Sequence, residues 1–402
     1  MRRLGQTVID LSRHRHLLKQ HLPGSFMAPG AGPSEKVAQH LSEVTGFGTN
    51  PGNLRMLTYV PESLSPSSGL VVVLHGCTQT AAGYAEGVGW PALADQYGFA
   101  LLMPEQRREN NPNLCFNWFE SADTRRDSGE CLSIAQMVDR MIADHGIDPS
   151  RVFVTGLSAG GAMTSVMLAT YPEKFAGGAI VAGLPFGAAR SVPEAFEAMY
   201  QVRHHTGREW GDLARAASGH AGSWPKVSVW HGTADTTVRS GNMDEIVKQW
   251  TDLHGLRPEP TLEHRVDGQR RQLWRNARGE DVLEAFTIDG MAHGAPIMPG
   301  TEDGQAGTAG AFILDVGISA AHHIAAFWGL TGMVPERAAR PQPHFAHDTV
   351  FDQAAAPEPR LQPAPVSAPA STGTHSRSRQ KTGSVLDPQT VIVKALRAAG
   401  LM

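Results

Sequence analysis

Cysteine is scarce: Cys77, Cys115 and Cys131 are all that the chain carries in 402 residues. An odd count this low excludes a disulfide-scaffolded fold, and no pair has the spacing of zinc ligands. Long apolar runs are missing too, none approaching the roughly 20 residues of a membrane-spanning helix. Charge of one sign is also missing. Against 39 Asp and Glu stand 35 Lys and Arg, a net charge of −4, which gives no electrostatic grip on nucleic acid or anionic lipid. The opening stretch MRRLGQTVIDLSRHRHLLKQHL starts basic, as an export signal does. Asp10, Arg13, His14, Arg15 and Lys19 then break its apolar centre, and no small-residue cleavage site follows.

What is present is an ordinary globular composition, 41% hydrophobic, arranged in a recurring order. Residues 1–50 read as an N-terminal extension, a short helix at most and then a Gly/Pro-punctuated loop. Residues 51–334 read as one catalytic-sized domain. Expected strands are Leu54 to Val60, Gly69 to Leu74, Phe99 to Met103, Arg151 to Thr155, Gly177 to Ala182, Val227 to His231 and Val282 to Ile288. Helical patterns fall between most of them, at Ala85 to Tyr97, Leu132 to His145, Ala159 to Tyr171 and Met243 to Leu253, with a last one from Gly310 to Trp328. Strands alternating with helices predict an α/β fold, a mostly parallel central sheet with helices on both faces. Continuously apolar runs such as Val71-Val72-Val73-Leu74 suit strands buried on both sides. Residues 335–385 are rich in Pro, Ala and Ser and read as a disordered linker. Residues 386–402 read as a short helix, with Asp387 as N-cap and Pro388 at its first position. A helix that short needs a docking partner: its own domain, a second copy or another protein.

One stretch carries chemistry. In VTGLSAGGAM, from Val154 to Met163, a buried strand runs into Gly-x-Ser-x-Gly and then a helical pattern. A sharp strand-to-helix turn of that kind exposes one hydroxyl, that of Ser158, above a helix N-terminus. The plainer reading is a glycine turn that packs helix on strand. A serine hydroxyl needs a base, and the base an orienting acid. Asp235 follows the strand in VSVWHGTADTTV, and His293 follows the strand in LEAFTIDGMAHGAP. Asp289 shares the strand end of His293 and is expected to shape the turn. Asp244 falls in a helix first turn, where the dipole favours an anion. The backbone N–H groups of Ala159 and Cys77 are the candidate oxyanion donors, the latter on the loop His75-Gly76-Cys77 after an earlier strand. His75 and His231 are expected to be satisfied by loop backbone.

LHGCTQTAAGYAEGVGWPALADQYGFALLMPEQ, NLCFNWF, DPSRVFVTGLSAGGAMTSVMLATYPEKFAGGAIVAGLPFG, VSVWHGTADTTV and DVGISAAHHIAAFWGL resemble, in this order, the poly(3-hydroxybutyrate) depolymerase family of esterases. The resemblance runs from about residue 50 to 330. It implies an α/β-hydrolase fold and hydrolysis of an ester substrate through an acyl-serine, without metal or organic cofactor. Its site residues would be Ser158 as nucleophile, Asp235 as acid and His293 as base, with the Cys77 and Ala159 amides at the oxyanion. It also implies a Cys77–Cys115 disulfide, two free thiols being the alternative. Trp90, Trp118 and Phe119 lie in or near the loops expected around the site, as candidate substrate contacts or as ordinary packing. Feruloyl and acetylxylan esterases are neighbours of this family, so a carbohydrate-linked ester is the second reading. A granule- or partner-binding protein with incidental hydrolysis is the third. The resemblance implies an extracellular or periplasmic site, and the lack of a recognisable leader implies the cytoplasm.

Overall fold

The computed structural model describes residues 40–332 together with Val37. The expected linker at 335–385, the helix at 386–402 and nearly all of the extension before Leu41 lie outside the described residues. In chain order the elements begin with β1 (Leu41–Val44), β2 (Arg55–Tyr59), β3 (Leu70–Leu74), α1 (Ala81–Gly87), α2 (Trp90–Tyr97) and β4 (Ala100–Glu105). Then come α3 (Ser121–Thr124), α4 (Gly129–His145), β5 (Val152–Leu157), α5 (Ala159–Thr170) and β6 (Gly177–Val181). They continue with α6 (Val192–Gln201), α7 (Gly207–Ser218), β7 (Lys226–Gly232), α8 (Gly241–Leu253), β8 (Leu262–Val266), β9 (Gln269–Arg275) and β10 (Asp281–Ile288). The last are β11 (Ala295–Ile297), β12 (Ile313–Asp315) and α9 (Ala320–Phe327).

Ten strands form one sheet in the order β1-β2-β4-β3-β5-β6-β7-β10-β9-β8. The run β4-β3-β5-β6-β7-β10 is parallel, and the outer pairs are antiparallel. Every residue of β3 is buried, and alternate side chains serve opposite layers. Leu70, Val72 and Leu74 join a core that contains α4 and α5 side chains. Val71 and Val73 join the other core, with Trp90, Trp328 and Ile324. Covering both faces is what permits a parallel run this apolar. Among the described residues no helix is long and apolar enough to cross a membrane.

Three expectations change. The sheet starts at Leu41, inside the stretch read as an extension, because β1 pairs antiparallel with β2. The helix expected at Ala85 to Tyr97 is two helices, broken where Gly89 adopts φ 90°. The helix expected from Gly310 to Trp328 exists only as α9. Its first half is β12, paired in parallel with β11, and Gly317 at φ 74° and the Ser319 N-cap reset the backbone before α9. Apolar spacing alone cannot separate these cases when glycines interrupt the run.

Candidate active site

The sheet order puts four loops at one end. β3 and β5 are neighbours, so the loop after β3 lies beside the turn after β5. β7 and β10 are neighbours, so the loops carrying Asp235 and His293 leave adjacent strand ends. Those two loops are stitched together: Thr233 N–H donates to Ile288 O at 3.0 Å and Ala234 N–H to Met291 O at 3.0 Å. Gly232 lacks a side chain because a Cβ there would press on the Met291 carbonyl.

Ser158 sits between β5 and α5 with φ 58° and ψ −115°, outside the ordinary regions for a residue with a side chain. Its N–H donates to Val181 O at 2.9 Å. Its Oγ donates to His293 Nε2 at 2.9 Å, and His293 Nδ1–H donates to Asp235 Oδ2 at 2.7 Å. Asp235 Oδ1 accepts two backbone N–H groups, from Thr237 and Val238, each at 2.9 Å. Burial alone would raise the proton affinity of Asp235, since a charge is being desolvated. Hydrogen bonds from His231 and His293 outweigh it and hold the carboxyl well below the usual carboxylate range. Asp235 is 3% and His293 4% exposed, so the couple works largely shielded from water.

The structure thus brings together all three residues expected from the sequence. The oxyanion candidates lie on the loop after β3 and directly after Ser158. Ala159 opens α5, and Cys77 lines the cleft. Cys77 stands between two committed amides, Gly76 N–H on Gln79 Oε1 at 2.9 Å and Thr78 N–H on Asn113 O at 2.7 Å. The Cys77–Cys115 disulfide is formed, with Cα atoms 4.2 Å apart, and ties this loop to the segment after β4. Cys131 is buried, and desolvation pushes its thiol up to about 12, which leaves it unreactive. His75 donates from Nδ1 to Gly76 O at 2.8 Å and accepts Gln106 N–H at Nε2, so loop backbone satisfies it as expected. Asp289 is exposed and pairs with Arg265 at 3.6 Å, away from the chain of hydrogen bonds.

The cleft is small and lined by Gly76, Cys77, Gln79, Leu157, Ser158, His293 and Phe312. Trp90 is withdrawn as a substrate contact: it is 1% exposed and packs against Phe99 and Trp328 in the core. Trp118 and Phe119 do not line the cleft. They pack edge to face, 5.4 Å apart, against the α4/α5 core. Two residues near the site escape the sequence reading. Phe312, expected inside a helix, adopts φ 61° and sets its ring 6.0 Å from His293. His231 meets loop backbone as expected, at Val238 O, but its Nε2 also lies 3.3 Å from Asp235 Oδ2, which was not expected. The signal for Phe312 was the glycine on either side, at 310 and 317; for His231 it was its place four residues before the acid.

A mostly parallel sheet with helices on both faces and this cleft at its strand ends define an α/β-hydrolase. The comparisons narrow the class. The pattern of the Esterase PHB depolymerase family matches residues 56–273, and the chain belongs to that family. It is 50% identical over 293 residues to poly(3-hydroxyalkanoate) depolymerase C of Paucimonas lemoignei, covering 73% of this chain and 70% of that protein. It is 37% identical to feruloyl esterase B of Neurospora crassa, covering 68% of this chain and 95% of that one. Among solved structures, the acetyl xylan esterase from Aspergillus awamori is similar with a TM-score of 0.62 at 30% identity, over 72% of this chain and 99% of the other.

Proposed function

We propose that the chain hydrolyses hydroxyalkanoate-type esters, poly- or oligo-3-hydroxybutyrate, through an acyl-serine on Ser158. The observation that carries the reading is the hydrogen-bonded series Ser158–His293–Asp235 at 2.9 and 2.7 Å. His293 Nε2 takes the Ser158 proton as Oγ attacks the ester carbonyl, and Asp235 stabilises the imidazolium that forms. The carbonyl oxygen, now anionic, is held by the Cys77 and Ala159 amides, with the α5 N-terminus adding its dipole. His293 passes the proton to the departing alcohol oxygen. Water then adds to the acyl-serine with His293 as base again, and the carboxylic acid leaves Ser158 with its hydroxyl restored. Phe312 and Leu157 give the cleft an apolar wall beside Ser158, which suits the aliphatic part of such an ester. The disulfide supports an oxidising compartment.

The relatives named for carbohydrate-linked esters favour a second reading, a feruloyl or acetyl substrate. The decisive measurement sets p-nitrophenyl butyrate, methyl ferulate and a hydroxybutyrate oligomer side by side, with Ser158→Ala as control. Turnover of butyrate and oligomer, lowered about 10⁵-fold in the control, is expected. Preference for ferulate would move the protein to the carbohydrate side, and turnover surviving in Ser158→Ala would sink the nucleophile assignment.

A further inference from the structure

His231 is the penultimate residue of β7 and is 1% exposed. Its Nε2 lies 2.8 Å from Val238 O and 3.3 Å from Asp235 Oδ2. Both neighbours are acceptors, so the ring hydrogen sits on Nε2. Nδ1 is buried without a hydrogen-bond partner among the described residues. Leaving a buried polar atom unpaired carries a free-energy cost, so the ring is oriented for what Nε2 does. What it does concerns the acid. Val238 N–H donates to Asp235 Oδ1, Val238 O accepts from His231, and His231 faces Asp235 Oδ2. The carboxylate is therefore gripped at both oxygens, and Oδ2 is shared between two imidazoles.

We propose that His231 is a positioning residue for the reaction: its Nε2–H shares Asp235 Oδ2 with His293, fixing the carboxylate's rotation and drawing off part of the charge that His293 feels. This rests on the reading of Ser158, Asp235 and His293 as the reacting set. Without the His231 proton, Asp235 would be a stronger partner for the His293 imidazolium. His293 acts as a base only when neutral, so the acid limb of kcat/KM would move to higher pH. Asp244 on α8 interacts with His231, and Arg270 on β9 with Asp244. Both remain in every variant, so their influence is common to all.

The test compares His231→Met, which keeps volume without a donor, with His231→Gln, whose amide N–H can stand near the position of Nε2. With p-nitrophenyl butyrate the methionine variant is expected to lose about 10–100-fold in kcat with KM within about twofold. Its acid limb is expected to rise by about half a pH unit or more, and the glutamine variant to recover most of both. A methionine variant with the parent's kcat and pH profile overturns the proposal. So does a loss that glutamine fails to repair with the profile unmoved, which marks a merely structural histidine. Should the methionine variant not fold, His231→Asn takes its place, since its shorter amide stops short of Asp235; matching Asn and Gln profiles then overturn the proposal. Ser158→Ala separates the failures. Activity in that control sinks the reacting set itself, whereas a dead control beside a normal His231→Met sinks only the role of His231.

Discussion

Ser158 holds a backbone conformation that costs a residue with a side chain about 1–3 kcal/mol. The cost persists because its neighbours leave the chain no other path. A Cβ on Gly160 would collide with the carbonyl oxygens of Leu74 and His75, and one on Gly156 with the Gly160 carbonyl. These obstacles are backbone of β3, of the loop after it and of α5, which cannot rotate aside as a side chain would. Gly160→Ala is therefore expected to destabilise the fold by about 3 kcal/mol or more and to remove most turnover. Urea midpoints and p-nitrophenyl butyrate rates on the same sample check it, and parent-like values in both would mean that the turn has slack. The two His-Gly dipeptides make the complementary point. His75 and His231 each stand at a strand end before a glycine, the one just past β3 and the other just inside β7, yet His75 spends both nitrogens on backbone while His231 turns one toward Asp235 as well. The dipeptide itself does not separate them; the acid four residues after His231, where Gln79 follows His75, does.

Between elements, the loop after β3 is the most consequential, since it carries Cys77 to the cleft. It is tethered to the segment after β4 by the disulfide and by Thr78 N–H on Asn113 O. Closing a loop of sequence separation 38 stabilises by roughly 3–4 kcal/mol in the chain-entropy account. Reduction, or the Cys77→Ser/Cys115→Ser pair, is expected to lower unfolding free energy by about that much. It should lower kcat more than KM, because the Cys77 amide is wanted where charge develops. Denaturant titration with and without reductant, followed by steady-state rates, decides it; unchanged kcat in the reduced protein would detach the tether from the reaction. At this scale the parallel run was legible, since β3 is apolar throughout, β5, β6 and β7 carry short apolar runs, and all four lie between helical patterns. The reacting set was legible because strand ends followed by small-residue loops mark it. α6 and α7 were not read from apolar spacing, although the Thr206–Glu209 capping box announces α7. Phe312 was lost to a misread helix because its own left-handed backbone, not its neighbours' polarity, breaks the run.

For the molecule as a whole, stability against pH turns on charges that folding buries. Glu130, in the first turn of α4, is 1% exposed. Burial, then the nearby Asp123 carboxylate, pushes its proton affinity up to about 8, against hydrogen bonds from Asn117 N–H and Gln106 Nε2. The folded state therefore holds a proton that the unfolded chain releases near pH 4.5. Its stabilisation is complete below that value and is lost as pH rises through about 8. Two buried histidines work the other way. Burial lowers His75, and lowers His254 to about 4, so their contribution grows with pH and is complete above 6.5. Between pH 6.5 and 8 the histidine terms are level and the Glu130 slope remains. Across that window the unfolding free energy is expected to fall by about 1–2 kcal/mol, and in Glu130→Gln, which cannot ionise, to stay nearly level. Urea midpoints at half-unit pH steps measure both. Equal slopes for parent and variant would mean that the hydrogen bonds from Gln106 and Asn117 win, that Glu130 is charged in the fold, and that α4 begins on a buried anion held by its own helix dipole.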